Sequence, residues 1–432
     1  MIKRILYTLL IMFPVVASAQ INTDRVMAIG RNALYFEDYV LSIQYFNQVI
    51  NAKPYLSDPY FYRGLAKINL DDFQGAESDC SEAIERNPFV VSAYQVRGLA
   101  RIQQNNFAGA IEDYTKALEF DPENIGVWHN MALCRIRQED YKGAKNDLDK
   151  LIAISPRYTK AYLMRGEVDL KQKDTLAAEK DFGKAIEIDR YDADTWASRA
   201  ILRLQQQRYK DAEADFDHAI RLSTRNSGVY INRALARYHQ NNLRGAMSDY
   251  DIALDIDPNN FIGHYNRGLL RAQVGDDNRA IQDFNFVIEM EPDNMMAIFN
   301  RGLLLDQTGD YKGAIKDYST VINEYPNFLL GYQYRAQARR KIGDVKGADA
   351  DEFKVLKAQL DKQNGVDPNK QTADNTENNK TRKKSDKNMN NYRKIVVADN
   401  EEGEEKYKSD YRGRVQDKNV NIVPQPMFVL TY

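Results

Sequence analysis

The sequence predicts an all-α solenoid built from about ten stacked helical hairpins. The first observation is a constant 34-residue period, because seven prolines are separated by one such period or by a multiple of it. These prolines are Pro54, Pro88, Pro122, Pro156, Pro258, Pro292 and Pro326. With each proline placed at position 32, the chain divides into ten units without insertion or deletion. The units begin at Thr23, Ser57, Val91, Ile125, Thr159, Ala193, Ser227, Phe261, Met295 and Leu329.

The second observation is the pattern of small and large residues inside each unit. Position 8 is always glycine or alanine, and position 20 is alanine in every unit except the first, which has Ser42. Position 24 is usually aromatic, as in Phe46, Tyr114, Phe182, Phe216, Tyr250, Phe284 and Tyr318. Small residues facing large ones are what two closely packed helices require. Turn-prone stretches such as Gly275-Asp276-Asp277 follow the first half of the unit, so each unit is predicted to be a helical hairpin.

This pattern resembles the tetratricopeptide repeat (TPR) family over about 340 of the 432 residues. That family has an aromatic residue at position 4, a small one at 8, alanine at 20, an aromatic at 24 and proline at 32. Here position 4 includes Trp128 and Trp196. The resemblance implies a right-handed solenoid that binds proteins or peptides, with the first helix of each hairpin lining a concave groove.

One departure from the family pattern is a row of arginines at position 7, where the family usually has leucine. Each of these eight arginines is followed sixteen residues later by an aspartate at position 23. The pairs are Arg63 and Asp79, Arg97 and Asp113, Arg165 and Asp181, Arg199 and Asp215, Arg233 and Asp249, Arg267 and Asp283, Arg301 and Asp317, and Arg335 and Asp351. Positions 7 and 23 are opposite in an antiparallel hairpin, so we expect a ladder of interhelical ion pairs. The alternative is an arginine row that binds an acidic ligand.

The resemblance also implies which side chains line the groove, since positions 5 and 9 point into it in this family. These positions give Phe61, Leu65, Leu99, His129, Leu133, Leu163, Ile201, Ile231, Leu235, Tyr265, Leu269, Phe299 and Leu303. A long apolar stripe usually marks a partner site. The alternative is that several of these side chains pack between neighbouring units. A sub-type of the family grips a terminal carboxylate with lysine at position 5 and asparagine at position 9, and neither occurs here. We therefore expect an extended or amphipathic peptide ligand.

Residues 1–19 have the layout of a secretory signal. Lys3 and Arg4 precede an apolar run, and Ala17-Ser18-Ala19 forms a small-x-small cleavage site. We expect an exported protein, periplasmic or secreted, that begins at Gln20 and is not stably inserted in a membrane. The net charge of −2 does not favour a nucleic-acid partner.

No residue set in the sequence has the spacing of a catalytic, metal or cofactor site. The histidines, His129, His218, His239 and His264, show no metal-ligand spacing, and there is no glycine-rich phosphate loop. Cys80 and Cys134 occupy different repeat positions and are expected to be buried rather than bonded to each other. We expect a non-catalytic scaffold in the cell envelope that needs no cofactor. The alternative is a glycan-binding or enzymatic envelope protein using the concave face. The sequence does not specify the oligomeric state.

The C-terminal part changes composition twice after the repeats, which occupy residues 23–362. Residues 363–391 are rich in Asn, Lys, Asp and Thr and predict a disordered linker. Residues 392–432 regain apolar residues and predict a binding segment. Phe428, Leu430 and Tyr432 alternate as on one face of a strand, which could add to a partner's sheet or dock onto the chain's own solenoid.

Overall fold

The computed structural model describes residues 22–222, 225–363 and 389–398. Its fold class is an all-α solenoid of helical hairpins, and twenty α-helices and no strands occur in these residues. The chain divides between Lys184 and Ala185 into two compact units. We call residues 22–184 unit 1; unit 2 consists of residues 185–222, 225–363 and 389–398.

Hairpins are numbered 1 to 10, and each consists of two consecutive helices. Hairpins 1 to 5 are α1 Thr23–Tyr35 and α2 Tyr39–Ala52, α3 Asp58–Ile68 and α4 Phe73–Arg86, α5 Val91–Gln103 and α6 Phe107–Phe120, α7 Ile125–Arg137 and α8 Tyr141–Ile154, and α9 Thr159–Lys171 and α10 Thr175–Ile188. Hairpins 6 to 10 are α11 Ala193–Gln205 and α12 Tyr209–Arg221, α13 Ser227–His239 and α14 Leu243–Ile256, α15 Phe261–Gln273 and α16 Asp277–Met290, α17 Met295–Thr308 and α18 Tyr311–Glu324, and α19 Leu329–Lys341 and α20 Val345–Gln363. Within each unit, every helix packs against the next one in the chain.

In most hairpins, though not in hairpins 6 and 8, a capping side chain stabilises the turn between the two helices. In hairpin 2, the Asp72 carboxylate accepts a hydrogen bond from the Gly75 N–H at 2.9 Å and so caps the first turn of α4. The residue before the cap has a left-handed backbone, for example Asn105 at φ 60° and Gly309 at φ 94°. This conformation reverses the chain within a few residues, and glycine adopts it without steric cost.

The core follows the small-against-large pattern. Ala110, Tyr114 and Ala117 on α6 are almost fully buried. At Gly98 on α5, an added methyl group would lie 2.8 Å from the Tyr114 ring. Glycine at this position therefore leaves room for the Tyr114 ring to pack against the facing helix.

Residues 389–398 form the one described part of unit 2 that follows the helices. They begin with a 3₁₀ turn, Met389–Asn391, and continue as an extended chain to Ala398. Met389 and Ala398 are 4% and 3% exposed. We call residues 389–398 the docked segment. The predicted linker extended to Asn391; its last three residues form this turn, and Met389 is buried in the core of hairpins 8 to 10.

Among the described residues, no helix combines the length and apolarity needed to cross a bilayer. The predicted signal, residues 1–19, lies outside the described residues. So do Phe428, Leu430 and Tyr432, and with them the predicted strand.

Candidate peptide-binding groove

The predicted ion-pair ladder is present, and all eight pairs form. In hairpin 7, Arg233 Nε and Nη2 donate to the two oxygens of Asp249 at 3.0 and 2.6 Å. The same two-bonded geometry holds in hairpin 9, where Arg301 bonds Asp317 at 2.8 and 2.7 Å. The other pairs are Arg63–Asp79, Arg97–Asp113, Arg165–Asp181, Arg199–Asp215, Arg267–Asp283 and Arg335–Asp351. The aspartates are buried and the arginines only partly exposed, so each pair ties the two helices of its hairpin together.

The arginines make further contacts that the sequence analysis did not foresee. Arg233 Nη1 also donates to Asp217 on the preceding hairpin at 2.7 Å. Its guanidinium carbon lies 5.6 Å from the centre of the Tyr230 ring on its own helix. The link to the preceding hairpin recurs at Arg63, Arg97, Arg165, Arg267, Arg301 and Arg335. These arginines therefore join hairpins to one another, and this use of their donors argues against the acidic-ligand alternative.

Two aspartates of the ladder, Asp249 and Asp283, have pKa shifts in opposite directions. Burial raises the pKa of Asp249, and the hydrogen bonds and charges of Arg233 and Arg237 only partly oppose it. Burial also acts on Asp283, but hydrogen bonds from His264 and Arg267 and the charge of Arg271 bring its pKa below the ordinary value.

Hairpin 4 keeps the aspartate of the ladder without its arginine, because Met131 occupies position 7. Its aspartate, Asp147, has an ion pair with Arg135 at 2.7 Å. Burial raises the pKa of Asp147 to about 6, and this arginine does not compensate.

A second row of polar side chains lies one residue before the arginines on three successive first helices. Asn232, Asn266 and Asn300 occupy position 6 of hairpins 7, 8 and 9 and are 0%, 0% and 5% exposed. We call them the asparagine row. They lie on α13, α15 and α17. We call the side of α11, α13, α15 and α17 that faces the docked segment the groove of unit 2.

The asparagine row binds the backbone of the docked segment. Asn266 Nδ2 donates to the Val396 carbonyl at 2.7 Å, while the Val396 N–H donates to Asn266 Oδ1 at 2.9 Å. Asn232 makes the same two bonds to Ala398, both at 2.9 Å. Asn300 Nδ2 donates to the Tyr392 carbonyl at 2.5 Å. The amide groups of Asn232 and Asn266 thus satisfy both backbone groups of alternate residues, as a neighbouring β-strand would.

The predicted groove residues of hairpins 6 to 9 contact this segment or its surroundings. The Tyr265 hydroxyl donates to the Tyr392 carbonyl at 2.8 Å, and the Phe299 ring meets the Tyr392 ring edge-on at 4.8 Å. Leu269 and Leu303 belong to the same apolar cluster as Tyr392 and Val396. Ile231 packs in the cluster of Ala398, whereas Leu235 and Ile201 pack in the cluster of Ile395 and Val397. These side chains form the floor beneath the docked segment.

The predicted groove residues of unit 1 are mostly half-buried. Leu99 is 38% exposed. Phe61, Leu65, His129, Leu133 and Leu163 are intermediate. His129 Nδ1 lies 3.3 Å from the Tyr158 hydroxyl, and burial lowers its pKa. Within unit 1 itself, the described residues include no extended segment comparable to the docked one.

The asparagine row was not predicted from the sequence, although its repeat pattern is present there. Asparagine recurs with the repeat period at positions 232, 266 and 300. Position 6 is not among the repeat positions that the family resemblance places in the groove.

The structure places the two cysteines as expected. Cys80 and Cys134 are both free and buried, and burial raises the pKa of each thiol to about 12. A thiol in such surroundings is unreactive at neutral pH. In the described ranges, no group of three or more His, Cys, Asp or Glu side chains could hold a metal ion.

The fold and the groove define a helical-hairpin repeat protein that holds an extended chain segment across its first helices. Sequence profiles described as "TPR repeat" and "Tetratricopeptide repeat" match residues 98–134, 125–158, 159–192, 198–261 and 265–327. These ranges together cover about half of the chain, and the chain belongs to the tetratricopeptide repeat family.

Several solved structures are similar. A tetratricopeptide repeat protein from Parabacteroides merdae is 21% identical with a TM-score of 0.45, covering 58% of this chain and 98% of that one. The C-terminal part of a TPR repeat-containing protein from Cytophaga hutchinsonii is 18% identical with a TM-score of 0.46, covering 55% and 97%. YrrB, described as a TPR protein with an unusual peptide-binding site, is 20% identical with a TM-score of 0.36, covering 43% and 95%. No curated protein gives a significant match.

Proposed function

We propose that this chain is a non-catalytic protein-interaction scaffold whose unit 2 binds extended peptide segments in its groove. The observation that carries the proposal is the pairing of Asn232 and Asn266 with both backbone groups of alternate residues. Backbone groups are the same in every peptide, so such pairing recognises an extended chain, and the apolar floor selects among side chains.

The asparagines are suited to this task by their burial. The segment that covers these amides must also satisfy them, because a buried amide without a partner costs about 1–3 kcal/mol. An extended backbone supplies a donor and an acceptor at alternate residues, about 6.5 to 7 Å apart. Such a backbone therefore satisfies the same amides that it buries.

We further propose that the protein works in the cell envelope after export. The support is the charged, apolar and small-residue sequence of residues 1–19. Intact-mass measurement of the protein recovered from its native host checks this proposal. The expected mass corresponds to a chain beginning at Gln20, and a mass that includes residues 1–19 contradicts export by this signal.

Peptide selection tests the binding proposal. The bait is the full chain with Val396→Pro and Ala398→Pro, because proline removes the two backbone N–H groups that the docked segment donates to the asparagine row. Random peptides are selected on this bait, and the affinities of the winners are measured for the bait and for the bait that also carries Asn232→Ala, Asn266→Ala and Asn300→Ala. We expect at least a tenfold loss. Winners that bind both baits equally, or a selection without winners, would refute groove binding.

A further inference from the structure

The docked segment lies in the groove as a bound peptide would and does not form an eleventh hairpin. It crosses three hairpins in the reverse of their chain order, from Asn300 at Tyr392 through Asn266 at Val396 to Asn232 at Ala398. Its hydrogen bonds to the asparagine row connect residues that are 92 to 166 positions apart in the chain. Because the segment is so far along the chain from the hairpins that it contacts, a segment of another polypeptide can make the same contacts.

The side chains of the docked segment define a chemical pattern. Tyr392 and Val396 pack in the apolar cluster of hairpins 8 to 10, whereas Ile395 and Val397 pack in the cluster of hairpins 6 and 7. Ala398 is 3% exposed and lies in the cluster that contains Ile231 and Leu270, where little room is left for a larger side chain. The pattern is an aromatic residue, a run of aliphatic residues three positions later, and a small residue at the end.

The segment leaves part of the groove unfilled. A cavity of about 370 Å³ lies beside it, lined by residues of α13, α15, α16 and α17 and by Arg393. The apolar part of the lining includes Leu269, Leu303 and Leu304. Arg393 itself is exposed, with its guanidinium carbon 5.3 Å from the centre of the Tyr392 ring. A peptide with a large apolar side chain at this point would bury surface that the docked segment leaves bare.

We propose that the docked segment is an internal competitor of the partners of unit 2. Resting on the function proposed above, the inference names those partners as extended peptides with the pattern of residues 392–398 but with a large aromatic residue in place of Arg393. The segment is tied to α20 through a short tether, residues 364–388. A connection of about 25 residues between two sites in one chain is expected to give an effective concentration in the millimolar range. The segment therefore occupies the groove until a better-fitting peptide displaces it.

Competition in a defined system tests the inference. The probe is a fluorescent peptide with the sequence of residues 389–398, and the receptors are the wild-type full chain and the full chain with Val396→Pro and Ala398→Pro. For an isolated peptide with a dissociation constant near 100 µM, an internal copy at about 1 mM weakens apparent binding about tenfold. We expect this difference between the two receptors. Equal affinity of the two receptors would overturn the competition, even though peptide binding itself would stand.

Two altered peptides test the partner class on the proline-substituted receptor. The peptide with Arg393→Trp is expected to bind about tenfold more tightly than the unaltered one, because its ring fills the cavity. The peptide with Val396→Pro is expected to lose at least tenfold, because it has no N–H for Asn266. No gain from tryptophan would overturn the assigned partner class. Absence of binding by every peptide would instead contradict the proposed function, which separates the two failures. Circular dichroism of both receptors verifies that the proline substitutions leave the helices intact.

Discussion

Asn266 and Arg267 are neighbours on α15, but they find their partners in different places. Arg267 bonds Asp283 on the second helix of its own hairpin and Asp251 on the preceding hairpin. Asn266 bonds Val396, which is 130 positions away in the docked segment. The arginine row recurs in eight hairpins with all partners inside the solenoid. The asparagine row is limited to three successive hairpins, and its partner comes from outside the repeats.

The partners of the two rows distinguish residues that serve the architecture of a repeat protein from residues that serve recognition. A feature that recurs in nearly every unit, with its partner at a fixed sequence distance, serves the stacking of units. A feature that is confined to a few units and satisfied by a distant segment serves binding. Changes in the arginine row should therefore reduce the stability of the solenoid. Changes in the asparagine row should reduce docking and leave the solenoid stable.

The largest effect is expected from Arg301→Ala. This substitution removes the cationic partner of Asp317, whose side chain is 4% exposed, and in hairpin 9 Leu305 replaces the second arginine that other hairpins have. A buried carboxylate without its partner costs about 3–5 kcal/mol. Thermal unfolding and hydrogen exchange of the α17 and α18 amides measure the loss.

Arg233→Ala is the matched control for this prediction. Asp249 keeps the charge and hydrogen bond of Arg237 at 2.8 Å, so the loss should be smaller, about 1–3 kcal/mol. If either variant kept full thermal stability while losing a bound peptide, the arginine row would be a ligand site and the comparison would fail.

A pH-dependent effect is expected in hairpin 4, where Met131 interrupts the arginine row. The pKa of Asp147 in the folded protein is about 6, above the ordinary value of about 3.9, so folding favours the protonated form. Its contribution to stability is present below pH 4 and is lost as the pH rises through 6. The shift corresponds to about 2–3 kcal/mol. Asp147→Asn should therefore gain stability relative to wild type between pH 4 and 7, measured by thermal unfolding at each pH.

For Asp283→Asn we expect a pH dependence of stability with the opposite sign. The pKa of Asp283 is below its ordinary value, since His264 and Arg267 donate to the carboxylate and outweigh its burial. Its contribution to stability is present above the ordinary pKa and lost as the pH falls through the lowered one. Asp283→Asn should lose stability relative to wild type at pH 7, and the loss should shrink in acid. The same slope for both variants would show that the number of cationic partners does not set the pKa.

The sequence predicted the hairpins and the arginine–aspartate ladder because both follow the same repeat period. Arg267 and Asp283 are sixteen positions apart in one hairpin, so a simple antiparallel turn brings them together. No fixed spacing in the sequence relates the docked segment to the residues that bind it. Met389 lies in a stretch rich in asparagine and lysine. A single apolar residue among polar ones does not predict burial. The contact between Asn232 and Ala398 spans 166 positions and is decided by packing in the groove, which no local pattern reports.

The smallest effect is expected from Asn266→Ala, and it should appear in docking alone. The substitution removes both hydrogen bonds to Val396, which should weaken docking by about 1–2 kcal/mol. The helices lose no bond to each other, so the thermal midpoint of the solenoid should change little. Hydrogen exchange of the Ala398 amide measures docking, since this amide donates to Asn232 in the docked state and keeps that acceptor in Asn266→Ala.

Asn130→Ala is the control on the same repeat position. Asn130 occupies position 6 of hairpin 4, but the neighbouring hairpins have Val96 and Met164 there, so no row can form. Exchange at Ala398 should stay at the wild-type rate in this variant and rise about 5- to 30-fold in Asn266→Ala, the ratio that corresponds to about 1–2 kcal/mol. An equal rise in both variants would mean that docking responds to general loosening of the repeats. A rise in Asn266→Ala alone would assign recognition to the row, because one isolated asparagine cannot pair with alternate residues of an extended chain.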